Sequence, residues 1–164
     1  MSLHFLLDGY NVIHQIPSLL DKNLEGQREG LIRFLESRRP QGSLKNKMTV
    51  VFDGKAGVYG SQPNSYIQVI FSSDESADDK IRRIVSSQSN KKNIIVVTDD
   101  RDIQYSVRNS GAKVESVGVF LKRDGRKGNK SSVSQGEEIS RNEEERINAE
   151  LKNIWLKSKD AENN

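Results

Sequence analysis

The feature that most constrains this chain is an alternation of short apolar runs with helical patterns, the runs ending on acidic or hydroxyl residues. Leu3 to Leu7, Met48 to Phe52, Ile67 to Phe71 and Ile94 to Val97 have the length and composition of buried strands. A weaker fifth run, Lys113 to Val117, follows Gly111. Between them, Leu24, Arg28, Leu31, Phe34 and Leu35 recur at helical spacing and predict a helix over about 25–38, closed by Pro40. Ala77, Ile81, Ile84 and Val85 predict a second helix, with Ser72 and Glu75 as its capping box. Ile103 and Val107 predict a third, stopped by Gly111, and Ile147, Leu151, Ile154 and Trp155 a fourth near the end of the chain. Gly54, Gly57, Gly60 and Pro63 mark a loop. Strands alternating with helices give an α/β three-layer sandwich around a mostly parallel sheet, plus a C-terminal helical extension.

Such sheets bind ligands beyond the carboxyl ends of their strands. The acids at those ends therefore matter. Asp8 follows the first run, Asp53 the second, and Thr98-Asp99-Asp100 the fourth. Asp78 lies in the first turn of the second predicted helix, and Asp102 just beyond Asp100. Carboxylates held close repel one another, so a metal-free cluster costs stability. A hard divalent cation reverses that cost, activates water and stabilises charge on a scissile phosphate. Taken singly, each acid also suits a turn or a helix cap, and Asp53-Gly54 is a common turn dipeptide. Three strand ends carrying acids outweigh that bland account.

Composition narrows the chemistry. The chain of 164 residues has no cysteine and only two histidines, His4 and His14, so thiolate sites are excluded and any metal is bound mainly by oxygen, as Mg2+ or Mn2+ would be. His4 is expected packed or at an edge within the first strand, and His14 near the start of a helix at the surface. No apolar window is long enough to span a membrane and no signal peptide is legible at the N-terminus, so a cytoplasmic location is expected. The net charge of +3 says little by itself, but Lys122, Arg123, Arg126, Lys127 and Lys130 cluster among Gly125, Gly128 and Asn129. That segment suits a phosphate backbone and a solvated linker equally.

Leu6-Leu7-Asp8-Gly9-Tyr10-Asn11-Val12-Ile13 resembles the opening motif of NYN domains, in particular the YacP-like branch of the PIN-like nuclease superfamily. Val50 to Gly54 resembles its second-strand motif, Val69 to Phe71 followed by Glu75 to Ile81 its acidic helix start, and Val97 to Asp102 the hydroxyl-x-Asp-x-Asp signature of PIN-like nucleases. These motifs, in the family's order, cover about residues 3 to 120. The resemblance implies a PIN-like fold and a metal-dependent endoribonuclease. Asp8, Asp78 and Asp100 match its metal-binding acids, Asp102 a fourth catalytic acid, and Asp53 a supporting one. Asn11 is expected to position Asp8 or the phosphate, and Thr98 to bond a carboxylate or the attacking water. The branch is associated with translating ribosomes, which implies mRNA as substrate and the ribosome as partner. The expected division is a nuclease domain over 1–121, a flexible basic segment over 122–136, and a helix and tail over 137–164.

Two other functions compete. An RNA- or ribosome-binding module with little or no catalysis would use the same basic segment, but a full acid set repels phosphate unless a cation is present. A receiver-type phosphoacceptor domain needs an acidic pair after its first strand, where this chain has Asp8 followed by Gly9.

Overall fold

The strands align in one direction, in the order β3-β2-β1-β4-β5, as a five-stranded parallel sheet. They are β1 (His4–Asp8), β2 (Lys47–Phe52), β3 (Ile67–Phe71), β4 (Ile94–Val97) and β5 (Lys113–Glu115). The helices are α1 (Gly9–His14), α2 (Pro17–Leu20), α3 (Leu24–Arg38), α4 (Ala77–Ser87), α5 (Arg101–Asn109) and α6 (Val117–Lys122). The computed structural model describes residues 2–56 and 65–125, all within one compact unit, Met1–Asn129. The expected C-terminal helix and its tail lie outside the described residues. Among the described residues no helix is long and apolar enough to cross a membrane.

The three layers follow from strand alternation. Along β1, Phe5 and Leu7 enter one apolar cluster and Leu6 the other. The first cluster joins Met48, Val50 and Phe52 of β2 to Val12, Ile13, Leu31, Leu35 and Phe120, so α1, α3 and α6 cover that face. The second joins Val51 and Val96 to Ile81, Val85, Ile103 and Val107, so α4 and α5 cover the opposite face. Each of these fully buried side chains contributes roughly 1.5–3 kcal/mol relative to exposure. With both faces covered, the strands read as continuous apolar runs rather than alternating ones.

The strand order has a direct consequence for function. From central β1 the chain builds outward to β2 and β3, then returns to place β4 and β5 on β1's other side. The connections after β1 and β4 therefore leave toward opposite faces, α1 to one and α5 to the other, and a crevice opens between the two carboxyl ends.

Several local expectations are corrected. The cap of α4 is Ser76, whose side chain accepts from the Asp79 N–H, and not Ser72. The Ser72 hydroxyl faces β2 instead, donating to Asp53 Oδ1 and accepting from the Gly54 N–H, both at 3.0 Å. Glu75 pairs with Lys80 at 3.4 Å and with Arg83. The fifth strand stops at Glu115, because Ser116 caps α6 by accepting from the Val119 N–H. His14 is exposed, as expected, but it is the last residue of α1 and not at a helix start, since β1 runs into α1 without a loop.

Candidate active site

Asp8 is the last residue of β1 and only 8% exposed. Its carboxyl is pushed up to about 6 from an ordinary value of 3.8. Burial is the largest cause, and the negative charges of Asp78, Asp100 and Asp53 add to it. The Asn11 backbone N–H, facing the carboxylate from the first turn of α1, works in the other direction without forming a full helix cap. Asp78, in the first turn of α4, is also shifted upward, by burial first and then by Asp100, with Asp79 and Asp53 adding and Arg82 opposing. Helix α4 packs over β1 and β2, which carries its first turn to the rim that Asp8 occupies. Asp8, Asp53, Asp78 and Asp100 thus act on one another across a single rim.

The turn after β4 fixes Asp100. Buried Thr98 places its hydroxyl oxygen 3.1 Å from the Asp100 N–H as acceptor. Asp100 then caps α5, its Oδ1 accepting from the N–H groups of Asp102 and Ile103. Thr98 thus shapes the turn through the backbone, and its hydroxyl bonds no carboxylate among the described residues. The Asn11 side chain accepts from the Asp99 N–H at 3.0 Å, tying α1 to the end of β4. Asp99 itself accepts from the Val117 N–H and from Gln15, so its carboxylate is committed to joining α6 and α1. Asn11 therefore faces the acids with its backbone N–H and locks the crevice with its side chain.

The remaining candidates separate. Asp53 is exposed, held by Ser72, beside a Gly54 whose φ of +96° is a conformation L side chains rarely adopt. Asp102 is exposed on α5 and lines a shallow cleft with Arg82, Tyr105 and Asn109. Lys122 ends α6 in an exposed position. Arg123 is engaged inside the folded unit: it pairs with Glu115 at 2.5 Å and stands 5.7 Å over the Phe5 ring. Arg126, Lys127 and Lys130 lie outside the described residues.

The donor set suits a hard cation. It consists of carboxylate oxygens that repel one another, with one of them buried. Among the described residues no three acids or histidines stand close enough to cage an ion unaided. Magnesium does not need such a cage, since it keeps several waters and takes one or two carboxylates directly.

Two residues at this rim escaped the sequence reading. Tyr10 follows Asp8-Gly9 and stacks on Phe52 with ring centroids 5.5 Å apart. Buried Arg28 of α3 lies against both rings. The available signal was a charged residue inside the apolar stripe of α3. Gly9 permits this packing, because a Cβ there would come within 2.4 Å of the Phe52 ring.

Comparison with known proteins agrees with this architecture. The family model of the YacP-like NYN domain matches residues 5–160. A crystal structure of Rae1 (YacP) from Bacillus subtilis aligns with 26% identity over 96% of this chain and 84% of that one, with a TM-score of 0.61. A point mutant of the same protein aligns with 29% identity over 74% of each chain, with a TM-score of 0.58. No curated protein gives a significant match. The chain belongs to the YacP-like NYN domain family of nuclease-like proteins.

Proposed function

We propose that this protein is a metal-dependent endoribonuclease whose catalytic acids are Asp8, Asp78 and Asp100, with Asp53 supporting them at the rim. The observation that carries the reading is the mutual electrostatic strain of these acids around a buried Asp8 at the topological switch point of the sheet. A buried carboxylate surrounded by like charges is unfavourable unless a cation joins it. Asp8, Asp78 and Asp100 would hold Mg2+ or Mn2+, which when bound supplies a Lewis acid and an activated water for phosphodiester hydrolysis. Asp8 is directed by the Asn11 N–H, and Asp100 by Thr98 and the α5 backbone. The Ser72 hydroxyl donates to Asp53, but it is buried and also accepts from the Gly54 N–H, which suits a structural tie rather than an attacking nucleophile, so hydrolysis without a covalent intermediate is the favoured route. Asp102 would act from outside the cluster, through the α5 N-terminus it shares with Asp100.

The family resemblance makes mRNA engaged by the ribosome the natural substrate. Purified protein incubated with RNA and with DNA, each in magnesium, manganese or chelator, tests the central part. Internal cuts in RNA that require the cation are expected. RNA binding without cuts in either metal would instead favour a binding module. Cleavage of an mRNA with and without ribosomes then tests the partner, with faster cutting expected when ribosomes are present.

A further inference from the structure

Beside the acid rim lies a buried cation. Arg28 is 5% exposed, and among the described residues no carboxylate pairs with it. Its guanidinium carbon stands 4.9 Å from the Phe71 ring centroid, 5.6 Å from Phe52 and 5.9 Å from Tyr10. Its Nε and Nη2 both donate to Tyr10 Oη, at 3.0 and 2.8 Å. Burying a charge this way is costly, and the rings return only part of that cost. Packing alone would be served by an apolar residue of the same size.

The pair has a second property. Two N–H donors occupy the lone-pair side of the Tyr10 oxygen, so the phenolic proton is directed away from the arginine. No described residue is hydrogen-bonded to that proton. Tyr10 and Arg28 line a cleft of about 490 Å³, walled also by the first turn of α3 and by Asp53, Gly54 and Lys55. That volume lies in the range of small-ligand sites. The α3 wall presents the positive end of a fifteen-residue helix, with exposed Glu25 on it. Asp53 belongs to the cleft and also acts electrostatically on Asp8 and Asp78, so cleft and acid rim adjoin.

We propose that the Tyr10–Arg28 pair is a phosphate subsite that holds the RNA linkage next to the one being cut. Tyr10 donates to a non-bridging phosphate oxygen. Arg28 fixes and polarises that hydroxyl, and Lys55, which also lines the cleft, adds charge. A donor polarised by a cation among aromatic rings favours an anionic acceptor over a neutral one. Tyr10 and Arg28 act here as positioning residues. The inference rests on the RNA-cleaving function proposed above.

The test compares full-length wild-type protein with Tyr10→Phe and Arg28→Met, both of which retain most of the side-chain volume. Each cuts an end-labelled single-stranded RNA and the same RNA carrying one neutral methylphosphonate at the linkage on either side of the observed cut. Wild-type kcat/KM is expected to fall roughly tenfold when one of these linkages is neutral, the effect of a hydrogen bond to a charged group. Each variant is expected to lose about as much on native RNA and nothing further on the neutralised RNA. A purely structural role would lower the melting temperature yet leave the variants as sensitive to the neutral linkage as wild type. That result, or wild-type kinetics in both folded variants, overturns the subsite. A wild-type protein that cuts no RNA overturns the underlying function, and the subsite with it.

Discussion

The two halves of the carboxyl rim make opposite use of charge. Over β1 and β4, carboxylates accumulate against a single described counter-charge, Arg82 near Asp78, and Asp8 is pushed up to about 6. Over β1, β2 and β3, a guanidinium is buried with no carboxylate paired to it among the described residues, sheathed by Tyr10, Phe52 and Phe71. A protein selected only for stability would place the two together. Keeping them apart leaves one half needing a cation and the other offering a donor to an anion. A phosphodiester with a divalent metal satisfies both.

The largest effects are expected where the acids are neutralised. Asp8→Asn and Asp100→Asn should each lower RNA cleavage more than about a hundredfold, beyond the loss that outer-shell partners of a metal produce. Single-turnover cleavage in magnesium measures this, and near-wild-type rates in Asp8→Asn would refute the acid assignment.

Stability should respond differently in the two halves. Gly9→Ala forces a Cβ into the Phe52 ring and should cost roughly 1–3 kcal/mol by overpacking. Arg28→Met replaces a buried charge that no described carboxylate pairs with by an apolar side chain, and should leave stability unchanged or raise it. Denaturant unfolding of both variants checks the pair, and a severe loss in Arg28→Met would mean that its hydrogen bonds to Tyr10 hold the fold.

The pH dependence follows from Asp8. Its folded value, about 6, lies above the ordinary 3.8, so between these values the folded state binds more protons than the unfolded one. In chelator, the Asp8 contribution to stability should therefore be most favourable below pH ~4 and be lost as pH rises through ~6. The loss is on the order of 2–3 kcal/mol at neutral pH. Asp8→Asn should flatten this slope and melt higher than wild type without metal. An unchanged slope in Asp8→Asn would locate the strain elsewhere.

The smallest effect is expected from the basic segment. Neutralising Lys122, Arg123, Arg126 and Lys127 should weaken binding to all RNA sequences about equally and reduce the salt dependence. Arg123 is already committed to Glu115, so its share should be less than that of a free cation. An unchanged salt slope would make the segment a linker.

Much of this was legible in the sequence because the fold is built on local signals. The Ile67–Phe71 and Ile94–Val97 strands coincide with their apolar runs; β4, inside the sheet and mostly buried, needs no alternation, whereas the edge strand β3 exposes Gln68. Helix α3 spans Leu24–Arg38, with Asn23 capping its start by accepting from the Gly26 N–H. The relations between elements were not legible. Ser72 has the spacing of a helix cap, but its hydroxyl is taken by Asp53 across the strands. Helix α6 has six residues, too few to display a period, and is anchored by Phe120 against Phe5 at 5.6 Å. Arg28 sits at an apolar position of α3 and reads as an interruption until Tyr10, Phe52 and Phe71 converge on it. Among the acids, the motif order pointed to Asp8, Asp78 and Asp100 with Asp102 as a fourth, while the mutual electrostatic action of Asp8, Asp53, Asp78 and Asp100 becomes visible only in the tertiary arrangement.

The central claim is that the acids around Asp8 form a cation site, and manganese binding followed by electron paramagnetic resonance tests it most directly. Titration of Mn2+ into wild-type protein and Asp8→Asn, with magnesium as competitor, gives the affinity of each. Wild type should bind manganese at one or two sites displaceable by magnesium, and Asp8→Asn should bind it at least about tenfold more weakly. Equal binding by both proteins, or none by wild type, would contradict the account.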